Sequence, residues 1–228
     1  MNHLQDIQQA INRLSPVERY KLALWTLESA GSGGRIAEPA SAYNMLPEIP
    51  LLSVEEYLDL EINATERHEY VAGEIFAMCG VSTAHNLIAL NVYSAFRNHL
   101  HGGPCKAFVS DVKVRLKIRM DEFFYYPDVM VACGNEGLEK YFLRDPKVIV
   151  EVLSPSTEGT DRREKYINYR RIPTLEEYIL IAQDTPEVTI HRRSTEWKPT
   201  VLTALEAIGE IQSIELSLPL AQVYDGAS

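Results

Sequence analysis

The chain has 228 residues, 46% of them hydrophobic, with 32 acidic and 22 basic side chains and a formal net charge of −10. This length allows one domain with additions and a substantial core. The acidic balance argues against a general polyanion binder, although a local basic patch can override it. No window approaches the roughly 18 apolar residues of a membrane span, and the polar opening "MNHLQDIQQAINRLS" carries no signal-peptide core. Cys79, Cys105 and Cys133 are odd in number and lack metal-ligand spacing, so three reduced thiols in a cytoplasmic protein are expected.

The first 30 residues read as helical. "SPVERYKLALWTLES" opens with Ser15 as N-cap, Pro16 at the first helical position and Glu18 completing a capping box. Leu22, Leu24, Trp25 and Leu27 form an apolar stripe that needs a partner, either the main domain or a second copy of the chain. "AGSGGRIAEPAS" reads as a linker, so residues 1–46 form a helical extension and 47–228 the main domain. There, "SVEEYLDLEI" is a helix with Ser53 and Glu56 as its capping box, and "HEYVAGEIFAM" is a hairpin turning at Ala72-Gly73. "STAHNLIALNVYSAFRNHL" is a helix with Ile88, Val92 and Phe96 in its core stripe, ended by Gly102-Gly103. "AFVSDVKVRLKI", "YYPDVMVA" and "KVIVEVL" read as strands, followed by a helix over about 161–171 that stops before Pro173. Strands "EEYILIAQ" and "EVTIHRR" flank a turn at Asp184-Thr185-Pro186, and the tail adds strand and a helical turn at "PLAQVYD". Helices and strands in this order predict an α/β or α+β fold, a mixed sheet flanked by helices.

Glu151 interrupts the apolar run Val148–Leu153, and a buried carboxylate must be neutralised or partnered. Asp128 opens the preceding apolar strand, so neighbouring strands would bring the two acids together at one sheet edge. Two close carboxylates repel unless a proton or cation lies between them. A hard divalent ion such as Mg²⁺, with Mn²⁺ as substitute, suits two carboxylates and several waters. Asp161 and Glu164 read as N-cap and N3 of the next helix, which places Lys165 one turn in, able to return toward the Glu151 strand and act on water or phosphate. In "DVKVRLKIRM", Lys113, Arg115, Lys117 and Arg119 alternate with apolar residues, giving a basic face that would follow a nucleic-acid backbone; Phe123, Phe124, Tyr125 and Tyr126 come next as candidate base-stacking groups.

"PD", "EVLS" and a lysine on the next helix together resemble the PD-(D/E)XK, restriction-endonuclease-like superfamily. "HEYVAGEIFAM", His85 on a helix, "YPDVMVA", "VIVEVLSPST", "DRREKYINYRRI" and "EEYILI" are similar to its Uma-two branch, from roughly Glu56 to the C-terminus. The resemblance implies a restriction-endonuclease-like core and a divalent-metal-dependent endonuclease acting on DNA, with RNA as the second choice. It implies Asp128 and Glu151 as metal ligands and catalytic acids. The superfamily lysine is missing, since Glu151-Val152-Leu153 occupies its motif, and the resemblance implies that Lys165 replaces it from the helix. Where the superfamily often carries a helical Glu, this chain has His85, a candidate ligand or proton acceptor; Glu74 is a further candidate.

Each residue alone has a plainer reading. Glu151 would be a satisfied buried acid, Asp128 a turn residue, Lys165 a surface partner of Asp161, His85 a satisfied helix residue, Glu74 a solvated strand residue, and the basic stripe a solvated face. Two rivals stand beside the nuclease: a catalytically inactive nuclease-fold protein that binds nucleic acid or a protein partner, and an interaction protein assembled through its N-terminal helices. A homodimer is expected, because one compact domain needs a second active site to cut both strands together.

Overall fold

Ser53 and Glu56 exchange hydrogen bonds at the start of the first described helix. The Ser53 N–H donates to Glu56 Oε2 (2.8 Å) and the Glu56 N–H to Ser53 Oγ (3.3 Å), so α1 (Val54–Asn63) begins with the expected capping box. The computed structural model describes residues 51–134, 137–155 and 157–227; the predicted extension 1–46 lies outside them. The chain divides into Met1–Glu56 and Tyr57–Ser228, and the second unit carries all of the described strands.

β1 (His68–Val71) and β2 (Glu74–Ala77) form the expected hairpin, with positive φ at Ala72 and Gly73. α2 (Thr83–His99) is capped by Ser82, whose Oγ accepts from the His85 N–H, and it buries Ile88, Val92 and Phe96 as expected. The stretch predicted as one strand, "AFVSDVKVRLKI", divides into β3 (Cys105–Val109) and β4 (Lys113–Ile118), which join different sheets. Ser110 and Asp111 both take positive φ and turn the chain there; neither is glycine, so the turn left no mark in composition.

β5 (Asp121–Tyr125), β6 (Val129–Cys133), β7 (Phe142–Leu143) and β8 (Pro146–Leu153) come next. A helix, α3, then spans 158–169 and is π-helical over Asp161–Lys165. It begins at Glu158, so Asp161 lies inside it and not at its N-cap. β9 (Glu177–Ala182), β10 (Val188–Arg192), β11 (Pro199–Leu202), β12 (Ile208–Ile211), β13 (Leu216–Pro219) and α4 (Leu220–Val223) complete the chain.

The fold is mixed α+β. A six-stranded sheet runs β11-β10-β9-β8-β6-β3, a five-stranded sheet runs β2-β1-β5-β4-β7, and β12-β13 form a small third sheet. β8 lies at the centre of the larger sheet, parallel to β9 and antiparallel to β6. Its side chains divide by the period of two. Val148, Val150 and Val152 pack with Ile88, Val92 and Phe96 of α2. Ile149 and Leu153 face the opposite layer, with Tyr169, Tyr178, and Val114, Leu116 and Tyr125 of the five-stranded sheet. Full burial of such aliphatic side chains contributes roughly 1.5–3 kcal/mol each. Glu151 shares the face of Ile149 and Leu153, so α3 and the second sheet close over it.

Cys105 and Cys133 are opposite residues of β3 and β6 and form a disulfide, while Cys79 is free and exposed. This corrects the expectation of three reduced thiols; the pairing depends on strand register, which cysteine spacing does not reveal. Among the described residues no helix is long and apolar enough to cross a membrane.

Candidate active site

The register that pairs Val129 with Val150 puts Asp128 beside Glu151 at the end of β6 and β8. The Asp128 N–H points to Glu151 Oε2 (3.4 Å), and the Val152 N–H donates to Asp128 Oδ2 (2.7 Å). The backbone of each strand therefore orients the other strand's carboxylate. Asp128 Oδ1 lies 2.9 Å from His85 Nε2. His85 is in the first turn of α2, where Ser82 fixes its backbone. Its ring is buried and Nδ1 has no hydrogen-bond partner.

On the other side of Glu151 lies Lys165. Its Nζ is 2.9 Å from Glu69 Oε1, 3.2 Å from Asp161 Oδ1 and 3.4 Å from Glu151 Oε1. The Tyr169 hydroxyl donates to Glu151 Oε1 (3.0 Å), and the Tyr178 hydroxyl donates to the Asp161 carbonyl (3.0 Å), tying α3 to β9. The π-helical segment carries both Asp161 and Lys165 and turns both inward; single π turns are frequent at functional sites. Glu69 comes from β1 and also accepts the Tyr126 N–H (3.2 Å).

Three carboxylates thus contact one ammonium, with Asp128 alongside. Burial pushes the Lys165 ammonium down, but Glu151, Glu69 and Asp161 outweigh it and raise its pKa well above 10.5, so the lysine stays charged. One cation cannot balance three acids. Burial, with the neighbouring acids, pushes Glu151 well above 4.5 against the pull of Lys165, and burial likewise raises Asp161 above 3.8. The centre is short of positive charge in a dry setting, where a proton or a further cation would relieve the acids.

Of the predicted site residues, the structure brings together Asp128, Glu151, Lys165 and His85. Glu74 is instead exposed at the turn end of β2, and among the described residues no hydrogen bond or ion pair joins it to the centre. The hairpin contributes Glu69. Sequence reasoning passed over Glu69 and Asp161 because a carboxylate on a short strand, or at a helix start, looks solvated until the opposite layer is known. Glu164, read as a capping residue, accepts the Tyr125 hydroxyl (2.8 Å).

The basic stripe is also corrected. Lys113 is buried, its Nζ 3.1 Å from the Tyr126 hydroxyl, and burial lowers its pKa. Arg115 Nε donates to Glu122 Oε2 (2.7 Å), and Lys117 lies 3.8 Å from Glu122 Oε1. Arg119, at positive φ, belongs to the β4–β5 turn. Cross-strand acid and the aromatic layer break up what sequence alternation presented as one free face. Phe124, Tyr125 and Tyr126 are buried and do not present faces for base stacking.

The family Uma2, described as "Putative restriction endonuclease", matches residues 54–223. Two uncharacterized Synechocystis proteins are similar along most of their length. One, slr1290, is 35% identical over 188 residues, covering 81% of this chain and 97% of the relative. The other, sll1609, is 36% identical over 170 residues, covering 73% and 93%. A crystal structure from Anabaena variabilis, titled as "a putative nuclease belonging to DUF820", is 18% identical with a TM-score of 0.66, covering 78% of this chain and 99% of its own. That likeness shows a shared fold. With the family match spanning α1 to α4, the residues of the acid–lysine centre included, the chain belongs to the Uma2 family.

Proposed function

We propose that this protein is a divalent-metal-dependent endonuclease that hydrolyses phosphodiester bonds, with DNA the favoured substrate and RNA the second. The observation that carries this reading is the surplus of acid around Lys165: Glu69, Glu151 and Asp161 contact one ammonium, and Asp128 stands beside Glu151. A purely structural pair needs one acid.

The donor set fits a hard cation, since its free charge is carboxylate oxygen and its electrostatic deficit is positive charge. Asp128 and Glu151 would hold the ion, Mg²⁺ first and Mn²⁺ second. Among the described residues no three or more His, Cys, Asp or Glu side chains form a ready-made cage, and water would fill the remaining positions, as Mg²⁺ tolerates well. Bound there, the ion would supply Lewis-acid charge toward the substrate phosphate.

The chain's own groups do the rest. Glu69 and Asp161 hold the Lys165 ammonium beside Glu151, where it orients an attacking water or steadies charge developing on the phosphate. His85 Nε2 fixes the Asp128 carboxylate, and the imidazole would assist as a further ligand or proton acceptor. The Tyr169 hydroxyl restrains Glu151. Glu74 has no role in this scheme.

A plasmid-nicking assay with Mg²⁺ or Mn²⁺ tests the reading. Wild type should nick, and Asp128→Ala and Glu151→Ala should each lose at least ~10²-fold of the rate, the scale of removing one preorganised charge-stabilising group. Equal nicking by all three preparations would eliminate it. A second reading, an inactive nuclease-fold protein that binds nucleic acid or a protein partner, is favoured by one observation: His85 and Lys165 already partner the two acids. It predicts binding without cutting. A homodimer and a cytoplasmic setting complete the proposal; the Cys105–Cys133 disulfide runs against the latter, because cytosolic disulfides are uncommon.

A further inference from the structure

A cleft with a cavity volume of about 300 Å³ is lined by none of the acid centre's side chains. Its lining is Arg115, Leu116, Lys117 and Ile118 of β4, Arg144 after β7, and Arg171, Ile172 and Pro173 after α3. Four of these residues are cationic and none is acidic, in a chain whose net charge is −10.

The cleft has a structural origin. β7 pairs with β4 only at Lys113 and Val114, so beyond that point Arg115–Ile118 has no strand on its β7 side among the described residues. The chain after α3 forms the opposite wall. Lys117 and Arg144 are well exposed at 64% and 50% of their side-chain surface, Arg171 is exposed, and Arg115 is half-buried. Glu122 touches Arg115 and Lys117, and Glu139 touches Arg144 (2.6 Å). Among the described residues, two acids pair with cations of this cleft and four cations line it, which leaves it positive.

We infer that this cleft is a phosphate-backbone clamp for double-stranded DNA, gripping the duplex toward the Pro146 end of β8, about 17 Å of strand away from Glu151; the inference rests on the nuclease reading and names where that substrate would be held. Lys165 and Arg171 lie on the same helix and its exit, six residues apart, which is about 9 Å along a helical axis. Successive phosphates of one DNA strand rise about 3.4 Å each, so the axial rise from Lys165 to Arg171 matches about three of them. Arginine suits the task because its planar fork binds phosphate oxygens in pairs. The clamp replaces the linear stripe expected along β4: Arg115 and Lys117 remain in it, Lys113 and Arg119 leave it, and Arg144 and Arg171 join from elsewhere. The plainer role for cations here is to guard an open strand edge against pairing with another chain.

The test is fluorescence anisotropy with a labelled DNA duplex across a salt series, in Ca²⁺ to suppress cutting. The variants are Lys117→Gln/Arg144→Gln/Arg171→Gln and a control, Lys106→Gln/Lys140→Gln/Lys198→Gln, which removes three exposed cations outside the cleft. Each phosphate contact contributes a slope of about 0.9 in log affinity against log salt, so the cleft variant should lose about 2.7 from the slope and weaken at least about tenfold. The control should stay near wild type. If wild type binds and the cleft variant matches it in affinity and slope, the clamp is wrong while the nuclease reading stands. Equal weakening in both variants would also overturn the clamp, reducing it to general charge. Absence of binding by wild type would overturn the clamp, and the nicking assay decides the nuclease reading separately. A cleft variant that binds normally but aggregates would assign the cations to edge protection.

Discussion

Two buried glutamates on adjacent parallel strands differ in what surrounds them. Glu177 on β9 meets one guanidinium, Arg192 Nε at 3.0 Å, and accepts the Gln212 N–H (3.1 Å), the Ser213 N–H (3.0 Å) and the Ser213 hydroxyl (2.5 Å). One acid faces one cation and its lone pairs are filled, which describes a structural pair. Glu151 on β8 shares one ammonium with two more carboxylates and has a fourth acid alongside. Burial of charge is common to both; the ratio of acids to cations separates holding the fold together from holding something else.

The comparison breaks most readily in stability. Glu177→Ala should leave Arg192 buried without its carboxylate and destabilise the protein by about 3–5 kcal/mol in urea unfolding. Glu151→Gln should cost far less, or raise stability, because it relieves repulsion while abolishing nicking. Equal losses for the two would erase the distinction. Lys165→Met is the complementary probe: it strips the shared cation from three acids and should cost about 3–5 kcal/mol at neutral pH.

A smaller, pH-dependent effect belongs to Glu61. Burial pushes its carboxyl up, but the His68 ring and backbone N–H and the Tyr126 hydroxyl overcome this and hold it below 4.5. A carboxyl with a lowered folded-state pKa stabilises above its unfolded value and loses that contribution as pH falls through the folded one. Acid titration of unfolding stability should therefore be shallower below pH 4.5 in Glu61→Gln than in wild type. Tyr169→Phe removes one hydrogen bond from Glu151 and should cost about 0.5–1.5 kcal/mol. Glu74→Ala, exposed at the turn end of the hairpin, should stay within about 0.5 kcal/mol of wild type and nick normally.

What the sequence revealed tracks the range of the interactions. The Ser53–Glu56 box, the Ala72-Gly73 turn and the α2 stripe are local, and each is where its pattern puts it. Asp128 beside Glu151 was legible because β6 and β8 are long neighbouring strands of one sheet. Glu69 was not, because β1 reaches the centre through β5, pairing Tyr70 with Phe124, a residue remote in sequence. The inward turn of Asp161 comes from a π-helical segment, which an N-cap pattern conceals. Lys113 looked solvated by alternation, yet the layer supplying Tyr126 buries it.

The central claim is that the Asp128–Glu151 pair, surplus in charge, takes a divalent cation. Calorimetric titration of Mn²⁺ into the full chain addresses it directly. Wild type should bind one ion per chain, with binding abolished in Asp128→Asn and Glu151→Gln while both variants keep the wild-type far-ultraviolet circular dichroism. No heat of binding in wild type, or undiminished binding in both folded variants, would contradict it.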